Sequence, residues 1–173
     1  MTHETHEQSA QGVVPLRVAL LGCGVVGSAV VRLLTEHAAD LTARVGRPLL
    51  GICLGMQLLA QESLELRHTR GLGILPGRVV PLGGPPWHIG WNTLECVGDD
   101  PAFHASQGES FYFNHSFMLV DAQDCVTAQA RLPQPVTAAV RRGHVAGLQF
   151  HPEKSQRAGM RLFHSLITEL AHA

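Results

Sequence analysis

The chain has 173 residues, 45% of them hydrophobic and 16% charged, with a formal net charge of −1. That balance describes an ordinary globular chain with a sizeable core, and it excludes a disordered segment, a polybasic nucleic-acid binder and an anionic-membrane binder. No apolar run approaches the ~18 residues a membrane span requires, and the four cysteines, Cys23, Cys53, Cys96 and Cys125, form no CxxC pair that would hold zinc or frame disulfides.

Residues 1–12, "MTHETHEQSAQG", read as a polar tail unlike a signal or transit peptide, so a cytoplasmic setting with free thiols is expected. Residues 13–173 read as one domain, because no repeat, low-complexity run or Pro/Ser linker divides them. "LRVALLGCG" (16–24) has the character of a buried strand running into a glycine turn. From Ser28, the spacing of Val30, Val31, Leu33, Leu34, Leu41 and Val45 predicts an amphipathic helix ending near Gly46, before Pro48. "PLLGICLG" repeats the strand-to-turn pattern, and "MQLLAQESLE" predicts a second helix with Met56, Leu58, Leu59 and Leu64 packed on a sheet. Two successive βα units predict a parallel, doubly wound α/β architecture.

The second half changes character. "GLGILPGRVVPLGGPP" is rich in Gly and Pro, and "HIGWNTLEC", "SFYFNHSFMLV", "CVTAQARL", "VTAAVRRG" and "VAGLQFHPE" read as strands between turns. The chain closes with a predicted helix over 155–171, whose apolar face is Met160, Leu162, Phe163, Leu166, Ile167 and Leu170.

Gly51, Cys53 and Gly55 form a G-x-C-x-G at the junction of a strand and a helix. A tight turn there exposes the thiol, and the free N–H groups and dipole of a helix N-terminus favour a thiolate and can hold an oxyanion. The same cysteine is equally at home as a small buried residue, since free cysteine is among the most buried types. His151 and Glu153 in "LQFHPEKS" decide for chemistry. His151 can take the thiol proton, and Glu153, two residues on and on the same side of an extended strand, can orient the ring through its other nitrogen.

Together, "GICLGMQLL", "HIGWN", "YFNHSF" and "QFHPEKSQRAG" resemble the glutaminase subunits of imidazole glycerol phosphate synthase, a family of class I (triad) glutamine amidotransferases; the likeness runs over residues 47–170. The resemblance implies a class I glutamine amidotransferase-like (flavodoxin-like) α/β sheet flanked by helices, with a β-rich second half. It implies that Cys53 attacks the glutamine side-chain amide, that His151 protonates the departing ammonia and then activates water, and that Glu153 positions His151. Gln57, His115, Ser116 and Phe117 match the glutamine pocket, Phe117 standing where the family has tyrosine. The backbone of Leu54 matches an oxyanion donor. Trp87, His88, Trp91, Asn92 and Lys154 are expected at the interface with a cyclase subunit, to which ammonia passes. No cofactor and no metal is implied.

The N-terminal unit, residues 13–49, is atypical for that family. "LRVALLGCGVVGSAVVRLLTEHAADLTARVGRPL" carries G-x-G-x-x-G between strand and helix and resembles the N-terminus of homoserine dehydrogenase, a dinucleotide-binding βα unit. The next strand ends in the cysteine elbow and not in an acidic or basic ribose-recognising residue, so no nucleotide is expected. The family's first strands have no counterpart here. "LLGCGVVG" falls where the family's oxyanion loop belongs, with the backbone of Cys23, Gly24 and Val25 as its expected donors. A chain whose scaffold were incomplete would instead be catalytically silent and keep only partner binding or self-association.

Overall fold

The structure, a computed structural model, describes residues 48–172. The polar tail, the first βα unit and the GCGVVG loop with Cys23, Gly24 and Val25 lie outside the described residues. Among the described residues, ten strands form two sheets. The larger has the order β1-β10-β9-β8-β5-β6, from β1 (Leu49–Ile52), β5 (His88–Cys96), β6 (Ser110–His115), β8 (Val126–Arg131), β9 (Pro135–Arg142) and β10 (Val145–Leu148). The smaller has the order β3-β2-β4-β7, from β2 (Glu62–Ser63), β3 (Thr69–Arg70), β4 (Arg78–Pro81) and β7 (Phe117–Val120). The two helices among the described residues are α1 (Leu54–Leu58) and α2 (Gln156–His172).

The expected β-rich second half is present, and β5 coincides with "HIGWNTLEC". The doubly wound reading needs correction within the described residues: β1 and β10 are parallel, as are β2 and β4, while every other pairing is antiparallel. The run "SFYFNHSFMLV" divides at Ser116 into β6 and β7, which belong to different sheets.

The helix after the cysteine is shorter than its apolar spacing predicts. It ends at Leu58 because the carbonyls of Leu58, Leu59 and Ala60 are taken by the N–H groups of Leu72, Leu75 and Gly73, each at 2.9 Å, and not by residues one turn onward. Leu64 therefore lies beyond the helix and is 37% exposed.

Alternation along the parallel pair separates two cores. Leu50, Ile52, Ala146 and Leu148 face one side with Phe111, Phe113, Phe150 and the Leu162, Leu166, Leu170 stripe of α2. Leu49 and Val145 face the other, with Met56, Leu59, Leu75, Val79 and Leu119. Met160, expected on the apolar face of α2, is 69% exposed. Two residues from Leu162 at ~100° per residue carries it to the opposite side of the helix. These two cores fix the ends of β1 and β10 against each other, and the chemistry-bearing residues stand there.

Candidate functional site

Cys53 follows β1 directly and caps α1, with φ 54° and ψ −109°. A side-chain-bearing residue at positive φ is strained and is held only by surroundings that over-determine it. Here its N–H donates to the Leu148 carbonyl at 2.6 Å, and its carbonyl accepts from Gln57 N–H at 3.3 Å. Gly51 makes room for the turn: a Cβ there would lie 2.5 Å from the Gly55 carbonyl carbon and 2.7 Å from the Met56 nitrogen. The G-x-C-x-G spacing is thus a strand-to-helix elbow, as read from the sequence, but its helix is a little over one turn long. Its dipole is correspondingly small.

His151, expected from the sequence as the base, stands at the matching end of the neighbouring strand. β1 and β10 run in register from Leu49 opposite Val145 to Ile52 opposite Leu148, so their carboxyl ends open on one crevice, the usual location of α/β sites. His151 follows three residues after β10. Its N–H donates to the Tyr112 carbonyl at 2.8 Å, while Cys53 Sγ lies 3.7 Å from the Asn114 carbonyl. Tyr112 and Asn114 are two residues apart on β6, a separation of ~7 Å, so one strand edge anchors both Cys53 and His151.

His151 Nδ1 and Glu153 Oε1 are 2.8 Å apart. They meet across a 3-10 turn, Pro152–Lys154, and not along an extended strand as expected. Pro152 fixes the φ that starts the turn, and the Lys154 and Ser155 N–H groups close it onto the carbonyls of His151 and Pro152 at 3.1 and 3.0 Å. Ser155 Oγ donates to the His151 carbonyl at 2.6 Å and accepts from Tyr112 N–H at 3.0 Å. Gly159 of α2 sits hard against the Pro152 carbonyl, where any Cβ would collide.

A polar chain leads away from the sulfur. Gln149, fully buried, has its side-chain Nε2 3.9 Å from Cys53 Sγ. Its Oε1 accepts from Gln57 Nε2 at 3.1 Å, and the same Nε2 donates to the Phe117 carbonyl at 3.0 Å. His115 Nδ1 reaches that carbonyl too, at 2.8 Å, and its Nε2 meets His88 Nδ1 at 2.9 Å. Burial holds His115 well below the ordinary histidine value, at about 4, against the opposing pull of the Phe117 carbonyl; neighbouring His88 and His151 lower it further. Burial also lowers His88.

Gln57 and His115 therefore meet at the Phe117 carbonyl, and Gln149 links that cluster to Cys53. Ser116 is exposed and contributes its own carbonyl, which accepts from Leu82 N–H at 3.1 Å. Leu54 is the first residue of α1, where backbone N–H groups have no partner within the helix. Gln149 was missed by sequence reasoning; the available signal was one amide inside the otherwise apolar run "VAGLQF".

Of the residues expected at an interface, Trp87 and Trp91 are 60% and 50% exposed, with Ile89 beside them at 60%. Trp91 meets Tyr112 edge-on at 6.0 Å, and exposed Lys154 places Nζ 5.9 Å from the same Tyr112 ring. His88 does not belong to that surface. It is buried, stacks on Phe113 at 4.4 Å and binds His115, because its side chain falls on the inward face of β5. Asn92 is likewise turned to the protein, its Nδ2 donating to the Arg131 carbonyl at 3.0 Å and to His88 Nε2 at 3.1 Å.

Residues 22–168 match the family model "Glutamine amidotransferase class-I". Among curated relatives, "Imidazole glycerol phosphate synthase subunit HisH" of Methanothermobacter thermautotrophicus is 37% identical over 158 aligned positions, an alignment that covers 87% of this chain and 77% of the relative. The protein of the same name from Vibrio cholerae is 38% identical over 160 aligned positions, covering 87% of this chain and 78% of its own length. That of Synechococcus elongatus is 42% identical over 139 aligned positions, covering 76% of this chain and 64% of the relative. Two solved structures share the fold: a "Crystal structure of glutamine amidotransferase", with TM-score 0.65 and 23% identity over 90% of this chain and 78% of its own, and the "Structure of PurLQS from Thermotoga maritima", with TM-score 0.64 and 22% identity over 88% and 79%.

Proposed function

The chain belongs to the class-I glutamine amidotransferases, among the HisH subunits of imidazole glycerol phosphate synthase, and from that premise we propose that Cys53, His151 and Glu153 are the triad with which it hydrolyses glutamine. The observation that carries the assignment is the strained cysteine elbow at the end of β1 beside the His151–Glu153 pair at the end of parallel β10. Cys53 Sγ attacks the side-chain amide carbon, the C–N bond breaks, and His151 hands the nitrogen its proton so that ammonia leaves. The resulting glutamyl thioester is cleaved by water that His151 activates, releasing glutamate and the free thiol. Glu153 holds the His151 tautomer and steadies the imidazolium that forms in each half-reaction.

Leu54 N–H, with backbone donors at Cys23, Gly24 and Val25, would receive the oxyanion. Both amide protons of Gln57 are engaged, by Phe117 and Gln149. It would therefore meet the substrate through Oε1, accepting from the α-ammonium group, with His115, Ser116 and Phe117 forming the pocket wall. The exposed row of Trp87, Trp91 and Lys154 supports docking of a cyclase subunit as a heterodimer, ammonia passing to that partner for the lyase-type ring closure. His88 and Asn92 support that surface from within. A cytoplasmic, reducing setting suits a thiol nucleophile.

The test is ammonia release from glutamine by the purified chain, with and without the cyclase and its nucleotide substrate, beside Cys53→Ala. Cyclase-stimulated release that Cys53→Ala abolishes without loss of fold is the expected result. Release that survives Cys53→Ala would sink the triad assignment. A folded chain that binds the cyclase and releases no ammonia would mark it as a silent binding subunit.

A further inference from the structure

We propose that Gln149 is a thiolate-holding residue of the glutaminase site, its side-chain amide donating to Cys53 Sγ while Gln57 locks the amide in that orientation. The proposal rests on the glutaminase reading and names a further residue of the same site. Three observations carry it. Gln149 Nε2 is 3.9 Å from Cys53 Sγ, within reach for the large sulfur atom, and a contact of this kind tightens when charge develops on it. The amide cannot turn over without loss, because its Oε1 accepts from Gln57 Nε2 at 3.1 Å and Gln57 is itself pinned to the Phe117 carbonyl at 3.0 Å. The Gln149 backbone is anchored as well, its N–H donating to the Ala138 carbonyl of β9 at 2.8 Å.

A primary amide with no exposure at the centre of a core needs a purpose, since burying it costs free energy that its hydrogen bonds only just offset. α1 is too short to supply much dipole to the sulfur, and a fixed amide donor beside Sγ provides what the helix does not.

The experiment is the pH dependence of Cys53 alkylation by iodoacetamide in the full chain, followed by peptide mass spectrometry so that the other cysteines are counted separately. Two variants accompany the wild type. Gln149→Met keeps the volume and loses both polar atoms. Gln149→Glu keeps an acceptor for Gln57 and loses the donor to sulfur. Both are expected to move the alkylation midpoint upward by about one pH unit, roughly tenfold less reactive thiolate at a fixed pH below it, as for loss of a hydrogen bond to a charged group. Folded variants, judged by unchanged melting, that alkylate Cys53 with the wild-type midpoint would overturn the proposal. So would a shift in Gln149→Met that is absent from Gln149→Glu, which would report lost packing and not a lost donor. Failure of the glutaminase reading shows separately, as no glutamine-dependent ammonia from the wild type with its cyclase, because iodoacetamide reads the sulfur whatever its substrate.

Discussion

His88 Nδ1 and His115 Nε2 lie 2.9 Å apart in the core, and the outer nitrogen of each ring is engaged too. The Phe117 carbonyl can only accept, so His115 carries its proton on Nδ1 and accepts at Nε2 from His88 Nδ1–H. His88 Nε2 then accepts from the Asn92 amide. Every nitrogen has its role only while both rings are neutral. His115 is lowered from 6.5 to about 4 in the folded protein, burial being the main cause. Below about 6.5 the unfolded chain takes up a proton that the folded chain refuses, so stability is full above that pH, falls as pH drops toward about 4, and gains no further loss from this group below it. Melting temperature against pH should slope through that window, and His115→Gln should flatten the slope.

Glu153 is 54% exposed on its side chain, so its pairing with His151 adds little to the fold. On the triad proposed above, its effect is expected on His151. Glu153→Gln is expected to lower kcat for glutamine hydrolysis by roughly a hundredfold to ten-thousandfold, as when a general base loses its orienting carboxylate. The melting temperature should stay close to wild type. Steady-state ammonia release and a thermal melt on the same sample decide the matter.

Ser155 carries the opposite balance. Its hydroxyl serves the His151 carbonyl and the Tyr112 N–H from a position only 1% exposed. Ser155→Ala leaves a buried backbone donor unsatisfied and should cost ~1–3 kcal/mol, visible as a lower denaturant midpoint.

Trp91 and His88 lie on opposite faces of β5 and should separate cleanly. Trp91→Ala, on the exposed face, is expected to weaken cyclase binding by at least ~1.4 kcal/mol, tenfold in affinity by calorimetry, with the melt unchanged. His88→Ala removes a buried ring stacked on Phe113 and should lower stability first.

The site was more legible in the sequence than the sheet around it. G-x-C-x-G and H-P-E are local patterns whose geometry is set by neighbours in the chain, and they assemble as a strand-to-helix elbow and as a His151–Glu153 hydrogen-bonded pair. β5 was legible because "HIGWNTLEC" is bounded by turn residues and holds its pairing with β6 over six residues. The end of α1 was not, since the N–H groups that capture its last carbonyls come from Leu72, Gly73 and Leu75, beyond any helical period. Gln149 was hidden for a related reason: its partners Gln57 and Cys53 reach it only after β10 has paired with β1. His88 looked like interface by its place between two tryptophans, and period-two alternation in a strand sends it the other way.

The parallel pairing of β1 with β10 has a kinetic side. Cys53 and Gln149 are 96 residues apart in the chain, and strand pairs between them such as β2 with β3, β5 with β6 and β8 with β9 are antiparallel and close over far shorter stretches of chain. Bringing those two ends together is therefore among the costliest loop closures in the molecule, and non-local pairings of this kind form slowly. The reactive thiol environment should appear late in refolding, after most of the β-structure. Recovery of a shifted Cys53 alkylation rate would then serve as a clock for completion of the fold, lagging behind the far-ultraviolet signal.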